Sequence, residues 1–142
     1  MPGPEALAAL RSADARPWPP GGVGVDIVSV RRIRDMVGRC GPVVLDRLLT
    51  SRELADARGA RGLVWTRLAG RIAAKEATKK VLGSRGQTAR WTEVEVRLGS
   101  HGEPYVELHG RTRLAAERCG LTGMLLSISH EKDVAIAVVL GW

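Results

Sequence analysis

The stretch Leu68 to Gly83, LAGRIAAKEATKKVLG, sets the strongest constraint on how this chain folds. Its spacing predicts a helix from about Leu63 to Leu82, with Gly83 as its C-terminal cap. With Val64 at zero and roughly 100° per residue, Val64, Ile72, Trp65, Ala69 and Ala73 share about half the circumference. Glu76 falls inside that apolar arc, and Lys80 follows one turn later. A carboxylate on an apolar face needs a partner, because an unpaired buried charge is costly. Two partners suit it. One is an ion pair with Lys80 or Lys75; the other is a metal ion shared with a second acid.

That second acid is Asp26. Val23 to Val30, VGVDIVSV, reads as a short strand, and Asp26 interrupts its apolar run. A hard cation such as Mg²⁺ takes one or two carboxylates, keeps waters and completes its shell with phosphate oxygens. Arg32, Arg71, Lys75, Lys79 and Lys80 lie near the two acids in sequence. Arg71 and Lys79 also suit a solvated helix face.

The remaining elements follow in order. Arg31 to Arg39 is a basic helix, ended by Gly41 and Pro42, and Val43 to Leu49 is a short apolar stretch. Thr50 and Glu53 form a capping box that opens a helix to about Ala57. Trp91 to Leu98 alternates like a strand with one wet face. Gly99 to Pro104 turns it into a return strand over Tyr105 to Leu108. A helix spans Gly110 to Cys119, a strand spans Met124 to Ser129, and Val134 to Leu140 reads as a central strand buried on both faces. The order β-α-α-α-β-β-α-β-β makes the fold α+β, with a mainly antiparallel sheet packed against one long helix. Residues 1–21, with Pro17, Pro19 and Pro20, read as a Pro-rich extension whose Glu5 to Arg11 segment can be helical. Residues 22–142 read as one domain.

Composition narrows the class. The 142 residues are 44% hydrophobic and 26% charged, as in soluble globular proteins. With no Phe and one Tyr, Val, Leu, Ile, Ala and four Trp must fill the core. The 22 Lys and Arg against 15 Asp and Glu leave a charge of +7, which favours an anionic partner. No apolar run reaches the ~20 residues of a membrane span, and the N-terminus has no signal-peptide pattern. Cys40 and Cys119 match no metal or redox spacing and read as reduced thiols. These features predict a cytoplasmic protein without a membrane partner. No P-loop, dinucleotide fingerprint or zinc signature occurs. His130 beside Ser127 and Ser129 lacks the nucleophile elbow of a serine hydrolase. His101 and His109 fall in or beside turns, as surface residues do. A nucleic-acid-binding protein would explain the charge but not the two embedded acids.

Four segments, GVGVDIVSVRRI at 22–33, RLLTSREL at 47–54, LAGRIAAKEATKKVLG at 68–83 and SISHEKDVAIAVV at 127–139, occur together in order. In them the chain resembles the holo-acyl-carrier-protein synthases, the short single-repeat 4'-phosphopantetheinyl transferases, over about residues 22 to 140. The resemblance implies transfer of the phosphopantetheine arm of coenzyme A to a serine of an apo-acyl carrier protein, releasing 3',5'-adenosine bisphosphate. It assigns Asp26 and Glu76 to Mg²⁺, with Glu76, directly or through a bound water, as the base. Lys80 matches a phosphate-binding lysine that steadies developing charge. Arg71, Lys80, His130 and, more weakly, Gly102 and Pro104 match the coenzyme cleft. Arg31, Arg32, Arg34 and Arg39 match the surface that receives an acidic carrier protein, whose charge complements the +7. The family's usual assembly is a homotrimer with the site between neighbours. Ile72 stands where the family's helix usually has an aromatic residue, and the Pro-rich extension is not typical. The alternative is a member of the fold that binds carrier or coenzyme but has lost or changed the transfer.

Overall fold

The computed structural model describes residues 22–142. The expected N-terminal helix and Pro-rich linker lie outside the described residues. The chain opens with β1 (Gly22–Ser29), which runs straight into α1 (Val30–Cys40). Ser29 makes that switch, since its hydroxyl accepts a hydrogen bond from the Arg32 backbone N–H at 3.3 Å. Two short helices follow, α2 (Val43–Leu48) and α3 (Ser51–Asp56). The first was expected only as an apolar stretch; it adds one helix to the order read from sequence. A two-residue ladder joins β2 (Arg58–Gly59) to β3 (Gly62–Leu63) and delivers the chain to α4 (Trp65–Val81). Beyond α4 come two 3₁₀ turns, β4 (Val94–Leu98), β5 (Pro104–Leu108), α5 (Gly110–Arg118), β6 (Met124–His130) and β7 (Val134–Gly141). The strand expected from Trp91 begins only at Val94, because 91–93 form one of the 3₁₀ turns.

All pairing is antiparallel. β7 is the centre of a three-stranded sheet with β1 and β6 on its flanks, and β4 and β5 form a separate hairpin. α4 lies across one face of the larger sheet, against β1 and β7. Ala69, Ala73, Ala74 and Ala77 are all fully buried, and such small side chains let helix and sheet backbones approach closely. The closest approach is at Gly24. A Cβ there would stand 1.9 Å from the Ala77 carbonyl oxygen, so only glycine fits. This contact brings the middle of β1 against the second half of α4.

α4 is buried almost all round, not along one arc. Lys75 is fully buried, and its ammonium meets Glu53 at 2.7 Å and the Trp91 carbonyl at 2.8 Å. Glu53 is fully buried too. Besides closing the capping box with Thr50, it accepts the Val96 backbone N–H at 2.8 Å. The fully buried charge in this helix is therefore Lys75, which pairs with Glu53 and not with Glu76 as the sequence had allowed. Burial pushes the Lys75 ammonium below its ordinary range, with Glu53 opposing the shift.

β4 is buried over Val94, Glu95 and Val96, so it lacks the expected wet face. Glu95 accepts from the Thr50 hydroxyl at 2.7 Å and stands 2.8 Å from His109 Nε2. Burial pushes its carboxyl up, but those two hydrogen bonds and the charges of His109 and Arg97 outweigh it, holding the group below its usual value. His109 is thus a structural partner on a half-exposed edge. Conversely, β7 is not buried on both faces. Its odd-numbered side chains meet α4, while Ile136, Val138 and Leu140 are exposed on the other face.

Candidate active site

Strand alternation sends Gly24, Asp26 and Val28 of β1 toward α4. Asp26 emerges just past the tight Gly24–Ala77 contact. Its Oδ1 meets Lys80 Nζ at 2.9 Å, and the same ammonium also donates to the Val25 carbonyl oxygen at 2.7 Å. Glu76 projects from α4 one turn before Lys80, with its side chain one-third exposed. Its lysine is Lys79, at 3.6 Å, and not Lys80 or Lys75. Lys79 in turn lies over the Trp91 ring, 4.4 Å from its centroid. Both lysines sit in the last turn of the helix, where its dipole favours cations.

Asp26 and Glu76 open into one cleft of about 650 Å³ between β1, α1 and α4. Ser29 and Arg32 complete its polar end, and Ile33, Met36, Leu48, Ile72 and Trp91 line the rest. Two carboxylates on facing elements, in an open cleft with room for waters, are the donor set that a hard divalent cation takes. The residues therefore fit Mg²⁺.

The other predicted positions fall elsewhere. Arg71 is buried, 3.8 Å from Asp56, and donates to the Arg67 carbonyl oxygen. Burial lowers its guanidinium from the ordinary range, with Asp56 and Glu53 opposing. It does not line the cleft. His130 ends β6, two strands across the sheet from β1, while Gly102 lies in the β4–β5 turn and Pro104 opens β5. Of the four arginines on α1, only Arg32 lines the cleft. Arg31 pairs with Asp35 at 3.7 Å, Arg34 stacks on Trp65 at 5.5 Å, and Arg39 is exposed in the last turn. Ser29 and Trp91 are cleft residues that the sequence reading missed. A serine two residues before the RRIR run is a recognisable helix cap, whereas nothing local marks Trp91.

Residues 22–139 match the family model of the 4'-phosphopantetheinyl transferase superfamily. The chain belongs to this family. It is 44% identical over 119 residues to a holo-[acyl-carrier-protein] synthase of Desulforudis audaxviator, covering 84% of this chain and 90% of that one. A Frankia casuarinae holo-[acyl-carrier-protein] synthase is 40% identical over 119 residues, covering 84% and 94% of the two chains. The crystal structure of Helicobacter pylori holo-[acyl-carrier-protein] synthase in complex with coenzyme A superposes with a TM-score of 0.73 at 27% identity, covering 84% of this chain and 99% of that one. The Neisseria meningitidis enzyme gives 0.75 at 28%, with 85% and 97% covered. These phosphopantetheinyl transferases share the α+β architecture found here. Among the described residues, no helix is long and apolar enough to cross a membrane.

Proposed function

We propose that the chain is a holo-acyl-carrier-protein synthase, which moves the phosphopantetheine arm of coenzyme A onto a serine hydroxyl of an apo-acyl carrier protein. The observation that carries this reading is the meeting of Asp26 and Glu76 in one cleft, with Lys80 on Asp26, in a chain of this family. The catalytic domain is taken as 22–142, with 1–21 as an extension outside it.

In this reading Asp26 and Glu76 would hold Mg²⁺, which would supply charge neutralisation to the pyrophosphate. Glu76 accepts the serine proton as the hydroxyl oxygen attacks the β-phosphorus. The bond from phosphorus to the leaving phosphate oxygen breaks, and 3',5'-adenosine bisphosphate departs. Lys80, more than half exposed, can swing from Asp26 to the phosphates and offset charge on the leaving oxygen. Arg31, Arg32, Arg34 and Arg39 present a basic helix beside the cleft mouth to an acidic carrier.

His130, Gly102 and Pro104 stand away from Asp26 in one copy, so their role in the coenzyme site depends on a neighbouring copy. The exposed face of β1 and β7 supports such an assembly, a homotrimer in this family's pattern. Val23, Val25, Ile27, Ile136, Val138 and Leu140 are all exposed on it, an apolar patch that monomers rarely leave open.

The test is incubation with coenzyme A, Mg²⁺ and an apo-carrier protein, with mass spectrometry of the carrier. The expected result is gain of the phosphopantetheine arm. Asp26→Ala and Glu76→Ala should each slow the transfer by roughly 100-fold or more with the circular dichroism spectrum unchanged. An unmodified carrier across several carrier types would count against the assignment.

A further inference from the structure

Lys79 flanks the cleft acid Glu76, and its setting is unusual for a helix lysine. An i,i+3 lysine on an open helix face moves freely and contributes only about 0.2–0.5 kcal/mol to its acid. Here the side chain is 18% exposed, with Glu76 Oε1 at 3.6 Å on one side and the Trp91 ring at 4.4 Å on the other. The Trp91 backbone is anchored to the core, because the fully buried Lys75 ammonium donates to its carbonyl oxygen at 2.8 Å. An ammonium over an indole face is held by the ring quadrupole, more strongly as water is excluded. Lys79 thus lies between a core-anchored aromatic residue and the acid.

The charges around the cleft then balance in a particular way. Asp26 and Glu76 bring two negative charges, against positive charges on Arg32, Lys79 and Lys80. Lys80 is half exposed and can leave Asp26, whereas Lys79 is confined. Its ammonium is therefore the less free of the two to leave its acid. A fixed cation a few ångströms from a carboxylate opposes a second cation arriving there. It does not oppose a cation that arrives with an anionic pyrophosphate, whose charge the lysines attract.

We propose that Lys79, held on Trp91, is a positioning residue that keeps the acid pair charge-compensated, so that the divalent cation binds well only together with the pyrophosphate co-substrate. This rests on the assignment of Asp26 and Glu76 as the metal acids, and it adds an order of assembly to that site.

The test uses Mn²⁺ as a spectroscopic stand-in, with free Mn²⁺ measured by electron paramagnetic resonance in titrations with and without coenzyme A. The wild-type enzyme should retain little Mn²⁺ alone and bind it at one site per chain with coenzyme A. Lys79→Met should tighten Mn²⁺ binding to the coenzyme-free enzyme by roughly fivefold to tenfold. Trp91→Leu should move it the same way, and Trp91→Phe, which keeps an aromatic face, should stay close to wild type. If Lys79→Met binds Mn²⁺ no more tightly than wild type without coenzyme A, the role given to Lys79 is overturned while the acid pair stands. If wild type binds no Mn²⁺ even with coenzyme A, the acid assignment falls, and this inference with it.

Discussion

Lys75 and Glu76 are neighbours on one helix, and one turns into the core while the other turns to the cleft. Lys75 is fully buried on Glu53, with both partners further satisfied by Trp91, Thr50 and Val96. Such a pair resists the loss of one member more than the loss of both, because a single deletion strands a buried charge. Lys75→Met or Glu53→Gln alone should each lower stability by about 3–5 kcal/mol, read as a fall in the denaturant midpoint. The double replacement should recover a large part of that loss. Simple addition of the two single losses would show that the pair is not coupled. The pair also explains why the sequence hid it. Glu53 is fully accounted for locally as a capping-box acid, and its bond to Lys75 spans two helices and no local pattern. Asp26 and Glu76 were legible for the opposite reason: each is a carboxylate that its own element leaves unexplained.

At the scale of elements, the cleft depends on how closely β1 lies against α4. Gly24 sets that distance, since an added methyl would meet the Ala77 carbonyl oxygen at 1.9 Å. Gly24→Ala must push strand and helix apart, at a cost of about 1–3 kcal/mol. Transfer activity should fall further than stability does, because Asp26 follows β1 while Lys80 and Glu76 stay on α4. Activity assayed well below the variant's melting temperature separates the two effects. A second element-level device is the start of α5, whose backbone N–H groups at Arg111 and Thr112, with the Thr112 hydroxyl, donate to Glu93. Those bonds, led by the Thr112 hydroxyl, hold the Glu93 carboxyl below its ordinary range. A carboxyl depressed in the folded state stabilises above the unfolded value of about 4.3, and that contribution disappears as pH falls through the folded value. Glu93→Gln should therefore flatten the loss of stability on acidification, measured as Tm against pH below about 5. Periodicity and end signals located the long elements, but not the short helix Val43–Leu48 or the two-residue strands β2 and β3. Periodicity failed on β4 and β7, where burial on each face is decided by what packs there: Glu53 and Thr50 reach β4, and none of the described residues covers the outer face of β7.

At the scale of the whole molecule, that exposed face and the scattered residues proposed for coenzyme binding raise the same question. Across the sheet Val25 pairs with Val138, and Ile27 with Ile136, so the exposed side chains form continuous rows. Val138, 41% exposed on the central strand, stands in the middle of them. If copies associate through this face, wild-type protein should run above the monomer mass in light scattering. Val138→Glu should then be monomeric, since each association would bury an unpaired carboxylate. Its effect on function should be larger than its distance from Asp26 allows, because His130, Gly102 and Pro104 lie off the acid cleft of their own chain. A mixing experiment decides whether those residues serve a neighbour's cleft. Asp26→Ala and His130→Ala proteins, each inactive alone, should regain part of the activity when mixed and allowed to exchange subunits. Some clefts would then hold an intact acid pair from one chain and an intact histidine from another. No recovery despite proven exchange would place both residues in the site of a single chain.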